Sequence, residues 1–361
     1  MTLIAALEVR ENRPYLIGDL LLTSPADPDR KATTVLPAIG PCQRRFLYRD
    51  ISGLRQKVCI LNPDLAMAWS GDYIVARCIA REIMENMTND NLEGARSKDM
   101  HDFIKSTGVD LDNIALIILS KVRDGIDLLA INCRKMLSSQ YGRVYMAGSG
   151  EDSLRKYIES GVDLSDSAPD DVIDVSHLLT LTGKILHNEI ITAKPLTNYF
   201  GGAIEIVSFH AGQFRKVNNI LHTFWIVEKQ TADYFRIWPW RRIIKQTYYG
   251  DMLVLECVEV DLHKEIVLRE DYYLVSPIYR GVSNGEADIN SIAPQPTIWT
   301  CAHVVVKERG EIRQIGTRVN FSFSGEEPLR MQRTESTLTI TGLYSYMLQM
   351  GDDIRKELQV L

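Results

Sequence analysis

Apolar positions in this chain follow two periods, and the mixture changes along its length. Residues 3–7 and 15–19 are short apolar runs separated by the turn residues Glu11-Asn12-Arg13-Pro14. They predict two strands, with residues 20–23 continuing the second. Residues 24–49 carry Pro25, Pro28, Pro37 and Pro41 and predict an irregular excursion. Residues 57–61 and 65–69 predict a strand pair about the turn Asn62-Pro63-Asp64. Then the period lengthens. Ile74, Val75, Cys78, Ile79 and Ile83 recur at helical spacing, with Arg77, Arg81 and Glu82 on the other side. Residues 98–105 predict a second, weaker helix. Three strands follow at 115–121, 128–133 and 144–147, the first two joined through Arg123-Asp124-Gly125. Gly148-Ser149-Gly150 opens a helix over 151–159, a longer helix covers 171–191, and residues 202–209 and 213–217 predict a hairpin.

Strands, two helices, strands, two helices, strands is an order in which both faces of the sheets need cover. It predicts an α+β fold, a four-layer αββα sandwich. Beyond residue 217 the texture changes. Trp225, Trp238, Trp240 and Trp299 fall here, and residues 253–260, 303–306 and 318–323 are strand-like. Only 342–358 reads as helix. The expectation is two domains, 1–217 and an appended β-rich domain over 218–361 that ends in a helix.

Composition narrows the function classes. The 361 residues carry 41 basic and 47 acidic side chains, a net charge of −6, with no basic block. That argues against nucleic acid as a partner. No apolar run approaches the ~18 residues of a bilayer span, and no basic n-region precedes the first apolar stretch. No membrane association and a cytoplasmic location are therefore expected. The cysteines Cys42, Cys59, Cys78, Cys133, Cys257 and Cys301 are scattered without a C-x-x-C pair, and the histidines lack ligand spacing, so no metal is expected. Gly148-Ser149-Gly150 lacks the later Gly and Lys of a phosphate loop, and no cofactor is expected. Trp238-Pro239-Trp240-Arg241-Arg242 reads as a strand edge packed on the first domain or a neighbouring subunit; stacking on a base or sugar is the alternative.

The candidate chemistry lies at the start of the chain. Removal of Met1 would expose Thr2, and a free α-amine beside a threonine hydroxyl is a complete nucleophile–base pair. A nearby cation would hold that amine neutral and stabilise the alkoxide.

Residues 2–7, followed by Ile17-Gly18-Asp19 and Thr23, resemble the start of the proteasome-type N-terminal nucleophile hydrolases. Lys57, fourteen positions before Gly71, matches the spacing of active subunits, and Gly148-Ser149-Gly150 and Gly201-Gly202-Ala203 fall in the family's order. The resemblance spans roughly residues 2–217. It implies the N-terminal nucleophile hydrolase sandwich, with Thr2 as nucleophile, Lys57 as the tuning cation and Asp19 as the carboxylate that pairs with Lys57. It further implies that the Gly71 amide donates to the oxyanion and that Ser149 bonds near the α-amine. The Thr23 backbone would align an extended substrate, and Trp69 would floor the first specificity pocket. Peptide or protein would be the substrate, and a homo-oligomer, a ring in this family, the assembly.

Each residue also has a plainer reading. Asp19 reads as a turn residue, Lys57 as a solvated strand end, Gly71 and Ser149 as helix entry and cap, and Trp69 as core. The family's usual Asp and Ser before the double glycine are replaced by Thr197 and Phe200. Thr197-Asn198-Tyr199-Phe200 is instead similar to the bacterial two-ring ATP-dependent threonine peptidase, which works without that pair. A catalytically silent scaffold of the same fold, assembling or recruiting a partner, is the competing expectation.

Overall fold

Five consecutive apolar residues, 3–7, have no polar alternation because both of their faces are covered. In the computed structural model they form β1 (Ile4–Arg10), which pairs antiparallel with β2 (Arg13–Asp19). Ile4 and Ala6 face a second sheet, while Leu3, Ala5 and Leu7 face helices. The structure describes residues 2–10, 13–25, 34–36, 40–42, 49–88, 94–160, 170–192, 198–231, 234–261, 266–280, 295–308, 311–322, 329–333 and 338–358.

In chain order there follow β3 (Leu21–Pro25), β4 (Thr34–Leu36), β5 (Gly40–Cys42), β6 (Arg49–Leu54), β7 (Val58–Asn62) and β8 (Leu65–Gly71). Two helices come next, α1 (Tyr73–Thr88) and α2 (Ser97–Ser106). Then come β9 (Ile114–Val122), β10 (Gly125–Ile131), β11 (Arg134–Ser138) and β12 (Gly142–Ala147). The helices α3 (Glu151–Glu159) and α4 (Asp170–Thr192) precede β13 (Ile204–His210) and β14 (Gln213–Lys216). One sheet has the order β11-β12-β1-β2-β13-β14 and a second the order β10-β9-β8-β7. They meet so closely that a Cβ on Gly18 would lie 2.7 Å from Val58 Cγ2. The outer face of the second sheet carries Met67, Trp69, Leu116 and Ile118 against Ile79 and Ile83 of α1 and Met100 and Ile104 of α2.

The rest of the chain builds β15 (Ile220–Lys229), β16 (Phe235–Tyr249), β17 (Met252–Asp261), β18 (Ile266–Val275), β19 (Trp299–Glu308) and β20 (Glu311–Phe321). They form a third sheet, β18-β17-β16-β15-β19-β20, antiparallel except for the β15–β19 pair. The short pair β21 (Arg330–Arg333) and β22 (Leu338–Thr341) and the helix α5 (Leu343–Leu358) complete it. Tyr346, Met350 and Ile354 of α5 pack on one face of this sheet.

Its other face meets α4. Leu186 of α4 packs with Phe224, Ile244 and Leu255, and Trp299 and Cys301 of β19 join the core formed by Leu178, Leu181 and Ile185. The approach is tight at Gly183, where a Cβ would lie 2.5 Å from Thr317 Oγ1. His222 Nδ1 lies 3.0 Å from His303 Nε2 in the same seam, and His303 Nδ1 lies 2.9 Å from Thr317 Oγ1. Burial pulls the His187 and His222 imidazoles down to about 4, so the seam is uncharged at neutral pH.

These contacts overturn the four-layer αββα N-terminal nucleophile hydrolase sandwich with an appended β-rich domain. The molecule is 52% strand and 26% helix, a β-rich fold of mostly antiparallel sheets. The physical reason is α4, which the apolar pattern presented as an outer covering helix and which is itself covered by a third sheet. A smaller correction concerns residues 20–23. They do not continue β2: the Leu20 and Leu21 amides both donate to the Gly201 carbonyl, and the chain leaves to pair as β3 with β6. Much of the expected excursion over 24–49 lies outside the described residues, as do the side chains of Trp238, Trp240 and Arg241. On β16, residues 235–239 pair with β15 alone among the described residues, and β17 joins from Arg242 onward. No helix among the described residues is long and apolar enough to cross a membrane.

Candidate functional site

Thr2 stands one residue before the core of β1, and its carbonyl is wrapped by the turn that opens α3. Gly150 N donates to Thr2 O at 3.2 Å and Ser149 Oγ does so at 3.5 Å; Ser149 Oγ also reaches Tyr199 O at 3.4 Å. Gly148 has φ +98°, and a Cβ there would lie 2.0 Å from Thr2 O and 3.0 Å from Ser70 Oγ. Only glycine accepts both that backbone and that approach. Gly148→Ala is expected to cost about 1–3 kcal/mol or more, measured by urea denaturation.

Asp19 ends β2 with a carboxylate that holds three donors. Thr2 Oγ donates to Oδ1, Leu3 N donates to Oδ1 at 3.0 Å, and Gly201 N donates to Oδ2 at 2.8 Å. Burial nevertheless pushes its carboxyl up to about 6, opposed chiefly by the charge of Lys57. Lys57 precedes β7 and is 1% exposed. Its ammonium lies 3.8 Å from the centroid of the Trp69 ring, and no carboxylate among the described residues comes within salt-bridge reach of it. Burial lowers it to about 8, against the pull of Asp19 and Glu205. The expected Asp19–Lys57 contact pair is thus replaced by a Thr2–Asp19 hydrogen bond, with Lys57 coupled through space and resting on the indole.

Trp69 lies on β8, fully buried, and its Nε1 donates to Gln56 O at 3.0 Å. Gly71 ends the same strand at φ +106°, where a Cβ would lie 2.1 Å from Asn113 O. Beside it Asp72 Oδ1 accepts from Ile74 N and Val75 N and caps α1. Thr23 pairs across β3–β6 with Ile51, and its Oγ1 is enclosed without a hydrogen-bond partner. Thr2, Asp19 and Ser149 therefore converge directly, with Lys57 and Trp69 stacked alongside. Ser70, near the end of β8, lies against Gly148. Thr197 lies outside the described residues. Phe200 is buried, and its ring would be 2.9 Å from a Cβ on Gly150.

Several groups at this site escaped the sequence reading. Glu205 of β13 is fully buried and accepts from Lys57 N at 2.9 Å, Lys216 Nζ at 2.5 Å and Tyr248 Oη at 2.8 Å. Its signal was a single carboxylate inside the apolar run 204–207. Glu189 of α4 accepts from Gly202 N at 2.9 Å through Oε2, while Oε1 is enclosed without a partner. Burial and the charge of Asp19 push its carboxyl up to about 8. Consecutive amides, Gly201 and Gly202, are thus held by two buried carboxyl groups from different elements, Asp19 of β2 and Glu189 of α4.

No protein-family model matches this chain, and no curated protein matches it significantly.

The chemistry must therefore be read from the side chains. Among the described residues no group of three or more His, Cys, Asp or Glu is placed to hold a metal ion. Cys59, Cys78, Cys133, Cys257 and Cys301 are free thiols, and burial raises Cys59, Cys133 and Cys257 to about 12, which leaves them poor nucleophiles. The arrangement instead offers an alcohol, a carboxylate that accepts a hydrogen bond from it, and a buried cation with no counter-ion in contact among the described residues. Those are the parts of an activated hydroxyl nucleophile.

Proposed function

We propose that the protein is a cytoplasmic threonine hydrolase that cleaves peptide or other amide bonds with Thr2, exposed by removal of Met1. The observation that supports this reading most is the bond from the buried Thr2 hydroxyl to Asp19, with the Lys57 ammonium buried beside it. Thr2 Oγ would attack the substrate carbonyl carbon, and its proton would pass to the freed α-amine and then to the leaving nitrogen as the C–N bond breaks. The product is an ester on Thr2, which water cleaves, restoring the hydroxyl. Lys57 would stabilise the developing negative charge, and Asp19 would hold the hydroxyl in line.

The test is covalent. A peptide epoxyketone is expected to label the mature chain at Thr2, and intact mass is expected to show Met1 removed. Retained Met1 in freshly purified native protein would leave an amide where the base is needed and end this mechanism. The rate should also be bell-shaped in pH. Activity is expected to rise through about 6 as Asp19 ionises and to fall above about 8 as Lys57 loses its proton. A flat profile from pH 5 to 9 would exclude both groups from the chemistry.

One observation favours a second reading. Thr2, Asp19, Lys57 and Trp69 are all closed to solvent, as suits a silent scaffold that assembles or recruits a partner. That reading fails if Thr2→Ala removes the biological effect while assembly, followed by light scattering, is unchanged.

A further inference from the structure

The segment that carries Lys57 is held from its far side by the third sheet. Gln56 N donates to Ser276 O at 3.3 Å, and Gln56 Nε2 donates to Asp251 O at 2.7 Å and to Val275 O at 2.6 Å. These acceptors lie in the β16–β17 turn and at the end of β18. Toward the site, Gln56 O accepts from Trp69 Nε1, and Lys57 O accepts from Trp69 N at 3.0 Å. Tyr248 of β16 makes a second tie: its Oη donates to Glu205 Oε1, and Glu205 Oε2 accepts from Lys57 N. The same strands reach the other half of the site, because Leu20, next to Asp19, packs with Tyr248, Leu253 and Val275.

We propose that Gln56 and Tyr248 are positioning residues for Lys57, so that the third sheet sets where the ammonium stands beside Thr2. This rests on the hydrolase reading and adds the device that places its cation. A cation over an indole face gains about 0.5–2 kcal/mol, too little to fix a flexible four-carbon side chain by itself. With no carboxylate in contact among the described residues, the ammonium is aimed by its backbone and by the Trp69 ring, and Gln56 and Glu205 hold both. A displacement of about 1 Å at such a group costs about a hundredfold in rate.

The experiment follows the indole N–H resonances of the five tryptophans in the full chain against pH, with Trp69→Phe to assign the Trp69 signal. The Lys57 ammonium lies on that ring, so the signal is expected to titrate with a midpoint of about 8. Tyr248→Phe keeps the ring and removes a donor from Glu205, whose charge then acts more fully on Lys57. The midpoint should rise by about half a unit. In the same variant, and in Gln56→Met, kcat for a fluorogenic peptide should fall about fivefold or more with KM nearly unchanged. Tyr346→Phe is the control. It deletes a buried hydroxyl that lies 3.0 Å from Thr223 Oγ1 on the opposite face of the same sheet, and it should move neither midpoint nor kcat. Tyr248→Phe carries the test alone should Gln56→Met fail to fold.

The indole titration needs no cleavage, which separates this inference from the hydrolase reading. If no peptide is cleaved and Tyr248→Phe moves the Trp69 midpoint while Tyr346→Phe does not, the positioning stands and hydrolysis falls. If peptide is cleaved and Tyr248→Phe leaves both midpoint and kcat where Tyr346→Phe leaves them, the hydrolase stands and the positioning is overturned. A Trp69 indole that does not titrate between about pH 6 and 10 overturns it as well.

Discussion

Thr2→Ala is expected to lower kcat/KM for a peptide substrate by about a thousandfold or more, and Thr2→Ser to retain a measurable fraction. The alanine chain keeps the Leu3 and Gly201 amides on Asp19 and loses only the hydroxyl donor. Its stability should therefore fall by no more than about 1–3 kcal/mol. The two effects differ enough in size to be told apart by steady-state kinetics beside a urea titration. A Thr2→Ala chain that cleaves as fast as the unmodified one would remove Thr2 from the chemistry. Lys57→Met adds a second check: it leaves the side-chain volume and the packing on Trp69 nearly intact but deletes the charge. A large loss of kcat with little change in stability is expected, because the cost of burying the ammonium offsets its contact with Trp69 and its through-space attraction to Asp19 and Glu205.

Glu205→Ala should have the largest effect on stability. It strands the Lys216 ammonium, whose side chain is 10% exposed, and takes acceptors from Lys57 N, Val58 N and Tyr248 Oη at one stroke. Removing one partner of a buried ion pair costs about 3–5 kcal/mol. Lys216 would retain Gln56 Oε1 at 3.2 Å and Val58 O at 2.5 Å, neither of which carries the missing charge. The double variant Glu205→Met with Lys216→Met is expected to recover the part owed to the stranded ammonium but not the part owed to Lys57 N, Val58 N and Tyr248 Oη, which stay without that acceptor; a double-mutant cycle in urea would measure the split. Full additivity would show that the pair does not act as a unit.

Much of the local structure could be read from the residues. The runs at 57–61 and 65–69 become β7 and β8, and the apolar stripe from Ile74 becomes α1, entered through the Asp72 cap. Thr2, Asp19 and Ser149, separated by many positions, meet in space. The arrangement of layers could not be read, because an apolar helix gives the same pattern whether one sheet or two cover it. For α4 the second cover is β19 and β20, contributed by strands more than a hundred residues later. Periodicity placed Arg77 on the polar side of α1, and its Nε is enclosed. A polar stripe does not tell whether water or protein is its neighbour. Asp19 and Lys57 illustrate the limit of spacing. Their pairing was implied by the family resemblance, but the choice between a direct ion pair and separate partners depends on side-chain packing against Trp69.

The helix held between two sheets has a bearing on how this chain comes apart. Cutting after residue 217 would bare a flank of α4 and take Tyr248 away from Glu205, so neither fragment would keep its interior. Calorimetry should record one heat-absorption peak, and limited digestion should leave no long-lived half. Neither part is therefore expected to fold when it is expressed without the other.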